Sequence, residues 1–263
     1  MLGYCWEGFM MHILKNLARA VIFTGIVFLG TALADAKSDY ASAVKRIEMV
    51  ASSGADVLNL NEIYGLEDIP QDITGLSELK RVSLSYTQIL DLSILKNLPR
   101  LEHVEIRANY VKDISPLADM LGLKSLNLRQ NRISEIDDLA KLSGLTALDI
   151  SANDIVDISA LENLTQLEVL DISFNEITDI SVLLKLPKLK ELSISHMVVD
   201  DVEIIGQLAP LEELNIGYSE VADLGFVLEL PNLKILWHEM ERVTADKVIF
   251  DQLLARGVRV IAY

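Results

Sequence analysis

The segment LEVLDISFNEITDISVLLKLPK, residues 167–188, sets the pattern that most of this chain repeats. Its leading leucine recurs eight times at a spacing of 22 residues: Leu79, Leu101, Leu123, Leu145, Leu167, Leu189, Leu211 and Leu233. Aliphatic residues recur in phase three, five and ten places later, and the fifth-place column breaks only at His238. This periodicity predicts a solenoid, in which each repeat is one turn and neighbouring turns share a core.

Within each repeat, the residues near the leading leucine alternate between apolar and polar, which predicts a strand with one buried face. Eight places after that leucine, four central repeats share an asparagine: Asn109, Asn131, Asn153 and Asn175. A buried amide there can bond backbone groups that the inward turn leaves without partners, so the stacked repeats are expected to form a structural asparagine ladder. The flanking repeats have Thr87, Met197 and Ser219 instead, which confines the ladder to the centre.

Twelve places after the leading leucine, seven repeats have an acidic residue: Asp91, Asp113, Glu135, Asp157, Asp179, Asp201 and Asp223. Serine often follows two places later, and acids and serines at the start of a helical turn cap its free N–H groups. A calcium-binding array is disfavoured, because one acid per repeat supplies few ligands to any single ion. His103, His196 and His238 lie in different columns, so we expect no metal site.

The pattern as a whole resembles that of the leucine-rich-repeat family, and its 22-residue period is most similar to the repeats of bacterial internalins. The resemblance covers roughly residues 57–240. It implies an α/β solenoid, a right-handed superhelix with a concave parallel sheet and short 3₁₀ or irregular convex turns. It also implies a binding role. The wall-attachment signals and further domains of internalins are not visible, so the resemblance does not extend to host-cell invasion.

The first 36 residues have the pattern of a signal peptide. Lys15 and Arg19 precede an uncharged, mostly apolar run over residues 21–34 that is too short for a spanning helix, and small residues allow cleavage after Ala34 or Ala36. Met10 and Met11 are alternative starts that would give a more usual leader than Met1. We therefore expect an exported protein, periplasmic or secreted and bacterial, without stable membrane insertion after cleavage.

The expected domains after the signal peptide are an N-terminal helical cap over residues 37–56, the solenoid over 57–243 and a C-terminal cap over 244–263. The N-terminal cap has the apolar spacing of an amphipathic helix. In the C-terminal cap, Thr244 is the expected N-cap of a helix that Gly257 ends, and residues 258–262 are expected to form a last strand. Both caps would protect open edges of the sheet.

Composition narrows the class of function further. The net charge of −16 disfavours nucleic acid and anionic membranes as partners. The only cysteine, Cys5, lies in the expected signal peptide, so the mature chain would have no disulfide. No phosphate loop, nucleophile elbow or zinc motif is present, and we expect no cofactor, no catalytic residues and no enzymatic activity.

The outward side chains of the predicted strands are the candidate partner-binding residues of the concave face. They are expected four, six and seven places after the leading leucine, and the selected ones are Tyr86, Glu105, Arg107, Arg129, Asp149, Asp171, Phe174, His196 and Tyr218. Strand spacing of about 4.8 Å would place Phe174, His196 and Tyr218 side by side. They are predicted either to anchor a protein partner or to pack on one another and on the neighbouring turn.

Three functions remain open at this point. The leading one is an exported scaffold that binds a protein or another macromolecule through its concave face. The alternatives are an envelope-organising protein that associates with itself, and an inhibitor or regulatory subunit of an exported enzyme. The sequence does not identify the partner or the oligomeric state, since fold alone does not determine function.

Overall fold

A computed structural model describes residues 36–221, 223–239 and 246–262. The expected signal peptide lies outside the described residues, apart from Ala36, and so does Thr244. Three helices are α1 (residues 36–53), α2 (Glu203–Gly206) and α3 (Lys247–Ala255). The first precedes all the strands, the second lies among them, and the third precedes the last strand.

The strands of the described chain form one ten-stranded parallel sheet whose order follows the sequence. Its members are β1 (Val57–Asn59), β2 (Arg81–Ser83), β3 (His103–Glu105), β4 (Ser125–Asn127), β5 (Ala147–Asp149), β6 (Val169–Asp171), β7 (Glu191–Ser193), β8 (Glu213–Asn215), β9 (Ile235–His238) and β10 (Arg259–Ala262). In the register, Val82 pairs with Val104, and Leu126 pairs with Leu148. A sequential parallel sheet of this kind is the solenoid that the repeat period predicts.

The convex side is built from short helices, most of which are of the 3₁₀ type. The 3₁₀ helices are Gln71–Gly75, Ser93–Asn97, Ser115–Leu117, Asp137–Lys141, Ser159–Asn163, Ser181–Lys185 and Gly225–Glu229. Between the last two of these, α2 takes the corresponding place. Because a 3₁₀ turn is compact, each repeat can return to the sheet within 22 residues.

An acid of this column lies two residues before each convex helix from Ser93–Asn97 onward, as predicted. Asp91 Oδ1 accepts the N–H of Ser93 at 2.7 Å, which satisfies the first free donor of that helix. The hydroxyl and N–H of Ser93 lower the pKa of Asp91, because both favour its charged form. The corresponding bond to the residue two places later is present at Asp113, Asp157, Asp179 and Asp223.

The asparagine ladder forms as predicted. Asn153 Nδ2 donates to the carbonyl groups of Leu128 and Ile150, both at 3.0 Å, and its Oδ1 accepts the N–H of Ile133 at 3.1 Å. Leu128 and Ile133 belong to the preceding repeat, so each amide ties its own turn to its neighbour. Closely similar bonds are made by Asn109, Asn131 and Asn175.

Helix α1 covers the first strand of the sheet, which confirms the helical N-terminal cap. Ala43 and Ile47 are buried in the continuous core that all repeats share. Arg46 donates to the carbonyl groups of Asn59 and Asn61, both at 3.2 Å. These bonds satisfy backbone acceptors at the exposed end of the solenoid.

Helix α3 and strand β10 close the other end. Phe250 and Leu253 of α3 are buried in the core, and β10 pairs with β9 in parallel. Arg256 donates to the carbonyl of Leu228 at 2.8 Å and to that of Leu230. The arrangement is the helix and strand that the sequence predicts, with the helix beginning at Lys247 in the described chain.

The strands are shorter than the sequence pattern indicates, and this corrects part of the predicted face. Each strand from β2 to β8 ends four places after the leading leucine, so Tyr86, Phe174, His196 and Tyr218 lie three residues beyond a strand. From Tyr86 to Tyr218, the seventh-place residues have φ between 53° and 58°, the left-handed region. The chain turns there toward the asparagine ladder, which places these side chains along the rim of the sheet.

The sixth-place column was also expected to face outward throughout, and this is wrong for its serines. Ser85, Ser151, Ser173 and Ser195 are at most 5% exposed, because the backbone already turns inward at this point. Their hydroxyls are used inside the sheet: Ser173 Oγ accepts the N–H of Ser195 at 3.0 Å. Among the predicted face residues, only the long side chains of Arg107 and Arg129 reach the surface from this column.

Candidate protein-binding face

The outward surface of each strand is formed by the residues on either side of its buried central residue. The fourth-place residues were expected there, and the structure adds the second-place column that the sequence analysis left out: Arg81, His103, Ser125, Ala147, Val169, Glu191, Glu213 and Ile235. The alternation around each buried third-place residue was the signal that could have found them. With this column the face divides into two differently charged halves.

The N-terminal half, over β2 to β4, is mainly basic. Arg81, His103 and Glu105 line a shallow depression of about 330 Å³. Glu105 accepts a hydrogen bond from Ser83 Oγ at 3.1 Å. At the rim, the guanidinium of Arg107 lies 5.4 Å from the centre of the Tyr86 ring, within the range of a cation–π contact.

Arg129 marks the boundary between the two halves. Its Nη1 donates to Ser151 Oγ at 3.1 Å and lies 3.9 Å from Asp171 Oδ2. Ser151 Oγ in turn donates to Asp149 Oδ1 at 2.6 Å, and Asn127 donates to the other oxygen of Asp149. The structure thus joins three predicted residues, Arg129, Asp149 and Asp171, in one network. The positive charge of Arg129 is directed at carboxylates of this chain.

The C-terminal half, over β5 to β8, is acidic. Burial raises the pKa of Asp149, and the charge of Asp171 adds to the effect, although bonds from Ser151 oppose it. Burial also raises the pKa of Glu191, and the neighbouring carboxylates of Glu213 and Glu212 raise it further. Burial, together with the neighbouring carboxylates, therefore disfavours the ionised forms of Asp149 and Glu191.

Three rings stack along the rim of this acidic half. The Phe174 and His196 rings are nearly parallel, with centroids 3.9 Å apart and an interplanar angle of 17°. The His196 and Tyr218 rings follow at 4.8 Å and 35°. Phe174 remains 43% exposed and Tyr218 51% exposed. The rings pack on one another, as one of the two predictions for this row has it, and they also present apolar surface; that they anchor a partner stays a prediction.

The predicted residues fall into separate groups. Tyr86 and Arg107 contact each other at the N-terminal end, Arg129, Asp149 and Asp171 form the central network, and the three stacked rings lie at the C-terminal end. Along the rim, the first tyrosine and the stacked rings are separated by Ala108, Gln130 and Ala152. The face therefore offers two distinct surfaces.

The described part of the chain offers neither a metal centre nor a membrane-spanning helix. Within it, no group of three histidine, cysteine or carboxylate side chains is placed to hold a metal ion. No helix of residues 36–221, 223–239 and 246–262 is long and apolar enough to cross a membrane.

Family models place the repeats among known sequences. A model described as leucine-rich repeats in two copies matches residues 77–119 and 165–206, and a second leucine-rich-repeat model matches residues 99–155. No curated protein sequence matches the chain.

Solved structures give the same result for the fold. Internalin C2 from Listeria monocytogenes is 27% identical, with a TM-score of 0.69 over 74% of this chain and 91% of that one. Another Listeria monocytogenes internalin, inlF, is 22% identical, with a TM-score of 0.63 over 83% and 73%.

A plant protein shares the fold as well. It is the leucine-rich-repeat ectodomain of the membrane receptor kinase GASSHO1/SCHENGEN3 from Arabidopsis thaliana, in complex with CASPARIAN STRIP INTEGRITY FACTOR 2. It is 22% identical, with a TM-score of 0.60 over 73% of this chain and 25% of that one. The matching repeat models and the internalin C2 structure, together with the 22-residue register, support a leucine-rich-repeat protein of the internalin-like type.

Proposed function

We propose that this chain is an exported recognition protein that binds a protein partner through its concave face. Leucine-rich-repeat scaffolds such as the internalins are typically non-enzymatic, and scaffolds of this kind are typical of protein–protein binding. The proposal for export rests on the leader pattern of residues 1–36, and the proposal for the concave face rests on its surface.

The observation that carries the binding proposal is the stacked row of Phe174, His196 and Tyr218. Phe174, His196 and Tyr218 are exposed and in contact with one another, and a contiguous exposed apolar patch of this kind marks an interaction site, whereas single exposed rings do not. Stacking holds the rings in place before any partner arrives, so binding would cost little side-chain entropy. Rigid aromatic side chains are the residues that most often dominate interface energies.

The partner can be obtained by cross-linking the native envelope or medium and identifying the captured protein by mass spectrometry. Its affinity is then measured for the native chain and for the double variant Phe174→Ala/Tyr218→Ala. We expect the affinity to fall at least about tenfold, because two interface anchors together contribute ~2 kcal/mol or more. Unfolding by denaturant should change little, since both rings lie outside the core.

A matched control removes two other exposed rings, in the variant Tyr40→Ala/Tyr64→Ala. These tyrosines are 42% and 65% exposed and lie away from the stacked row. The control should bind the partner as the native chain does. Equal affinity of all three proteins would contradict the placement of the binding face.

Export is tested separately, by N-terminal sequencing of the protein recovered from the medium or periplasm. A mature chain that begins at Asp35 or Lys37 is the expected result. A chain found only in the cytoplasm with residues 1–36 retained would overturn this half of the proposal.

A further inference from the structure

The C-terminal half of the concave face has two carboxylates that are not paired with a cation of the described residues. Glu191 of β7 and Glu213 of β8 are register partners on adjacent strands, with their side chains on the same face. Neither carboxylate has a hydrogen bond or an ion pair with another described residue. Like charges placed opposite each other in a sheet are unfavourable, so this pair costs the fold some stability.

In the neighbouring column, glutamates are paired with lysines. One place earlier in the same repeats, Lys190 Nζ lies 2.7 Å from Glu168, and Lys234 Nζ lies 2.6 Å from Glu212. Those ion pairs join adjacent repeats just before the N-terminal ends of the strands. The outward pair of Glu191 and Glu213 has no such lysine, although the same spacing would allow one.

A depression lies over the two carboxylates. Glu191, Glu213 and Asp171 line it together with Val169 and the indole of Trp237, and its volume is about 190 Å³. Small-molecule sites usually measure ~300–1,000 Å³, so the space suits a single long side chain better than a separate ligand. An aliphatic stem would meet the valine and the indole, and a cationic end would meet the carboxylates.

Small residues connect this depression to the stacked rings. Ser173, Ser195 and Gly217 occupy the sixth-place column between the acids and the rim, and all three are buried. They leave a low strip with carboxylates on one side and rings on the other. In the N-terminal half the same column holds Arg107 and Arg129, so the strip is specific to the C-terminal half.

We propose that this strip binds an extended or helical segment of a protein partner that presents lysine or arginine to Glu191 and Glu213 and an apolar side chain to the stacked rings. The inference rests on the proposed function and adds the chemistry of the partner. Charge complementarity selects a basic segment, because the surrounding carboxylates would repel an acidic one. A cation over Phe174 or Tyr218 would gain from the ring face as well.

The test uses a displayed library of random short peptides, selected on the full chain. We expect the selected peptides to be enriched in lysine and arginine, with binding that weakens as the salt concentration rises. Affinity should fall about tenfold for the variant Glu191→Gln/Glu213→Gln, the effect of losing ~1.4 kcal/mol. The charge-reversed variant Glu191→Lys/Glu213→Lys should reject these peptides and select acidic ones instead.

The matched control is Glu67→Gln/Glu162→Gln, which removes two exposed acids elsewhere and changes the net charge equally. Unenriched peptides, or equal affinity for Glu191→Gln/Glu213→Gln and this control, would overturn the inference. The ring variant Phe174→Ala/Tyr218→Ala separates the two proposals. If it weakens binding while the glutamine pair does not, the concave face binds protein but not through basic side chains. If neither pair has an effect, both proposals fail.

Discussion

The two halves of the concave face have the same backbone and opposite chemistry. Over β2 to β4 the outward side chains include Arg81, His103 and Arg107, whereas over β6 to β8 they include Asp171, Glu191 and Glu213. Both halves have aromatic residues on the rim, a tyrosine beside an arginine in one and three stacked rings in the other. The same solenoid thus presents two surfaces suited to different contacts.

This difference shows that the repeat separates the residues that set the fold from those that vary on the surface. The third- and fifth-place inward columns hold leucine, isoleucine or valine except at His238, and the rim position has nearly the same left-handed φ at Tyr86 as at Tyr218. The outward columns vary from repeat to repeat without altering strand register. Because each turn contacts mainly its neighbours, a substitution on the face has few routes by which to disturb the core.

The largest effect is expected from breaking the asparagine ladder that lies beneath both halves. Asn109→Ala and Asn153→Ala should each lower the free energy of unfolding by ~2–4 kcal/mol, because each leaves two or more buried backbone groups without partners. Chemical denaturation of the two variants measures this loss of unfolding free energy. Similar losses would show that the halves share one support.

Ser219→Ala is the control at the same position of a flanking repeat. Ser219 donates one bond, to the carbonyl of Ile194, so its loss should cost only ~1 kcal/mol. A serine variant that is less stable than either asparagine variant would contradict the account of the ladder.

A smaller effect, and one confined to the acidic half, is expected from Glu191→Gln. Burial and the charges of Glu213 and Glu212 raise the pKa of Glu191 in the folded state, so the native fold binds this proton more tightly than the unfolded chain does. The stability that Glu191 contributes is therefore present below its usual pKa and is lost as pH rises through the folded pKa. The glutamine variant should be more stable than the native chain at pH ~7 and lose that advantage toward pH ~4.

Chemical denaturation of the native chain and of Glu191→Gln at the two pH values measures this difference in stability. The control in the basic half is Glu105→Gln, which removes an acid that accepts a hydrogen bond from Ser83 and has arginines nearby, and which should not stabilise the fold at neutral pH. If the difference in the free energy of unfolding between the native chain and Glu191→Gln is the same at both pH values, the acidic half is not strained by charge. Such strain at a surface is expected where function opposes stability.

The sequence was sufficient for the inward part of the molecule. The repeat register placed the buried columns, the asparagine ladder, the acids that begin the convex helices and the capping helices, because each of these recurs with a fixed period or has a local signal. The sequence was insufficient to predict which side chains form the concave face. Glu191 was missed because the second-place column was left out, and Trp237 was not selected although it lies in the fourth-place column. Ser173 was placed outward because nothing in its identity reports where the chain turns.

The shared left-handed rim gives the smallest test, and it measures whether the two halves have equal backbones. Ala108 lies in the basic half and Ala152 near the boundary, with φ of 55° and 53°. A left-handed residue other than glycine costs ~1–2 kcal/mol, and glycine loses ~0.5–1 kcal/mol more entropy on folding. Ala108→Gly and Ala152→Gly should therefore each stabilise the chain by ~0.5–1 kcal/mol.

The comparison variant is Ala147→Gly in β5, where extended backbone gives glycine no advantage and a loss of ~0.5–1 kcal/mol is expected. Thermal or denaturant unfolding curves of the three variants measure these changes in stability. Opposite signs for Ala108→Gly and Ala152→Gly would mean that the two halves differ in backbone strain, so that recognition and folding are not separate in this solenoid. Equal gains would leave the side chains alone to distinguish the basic surface from the acidic one.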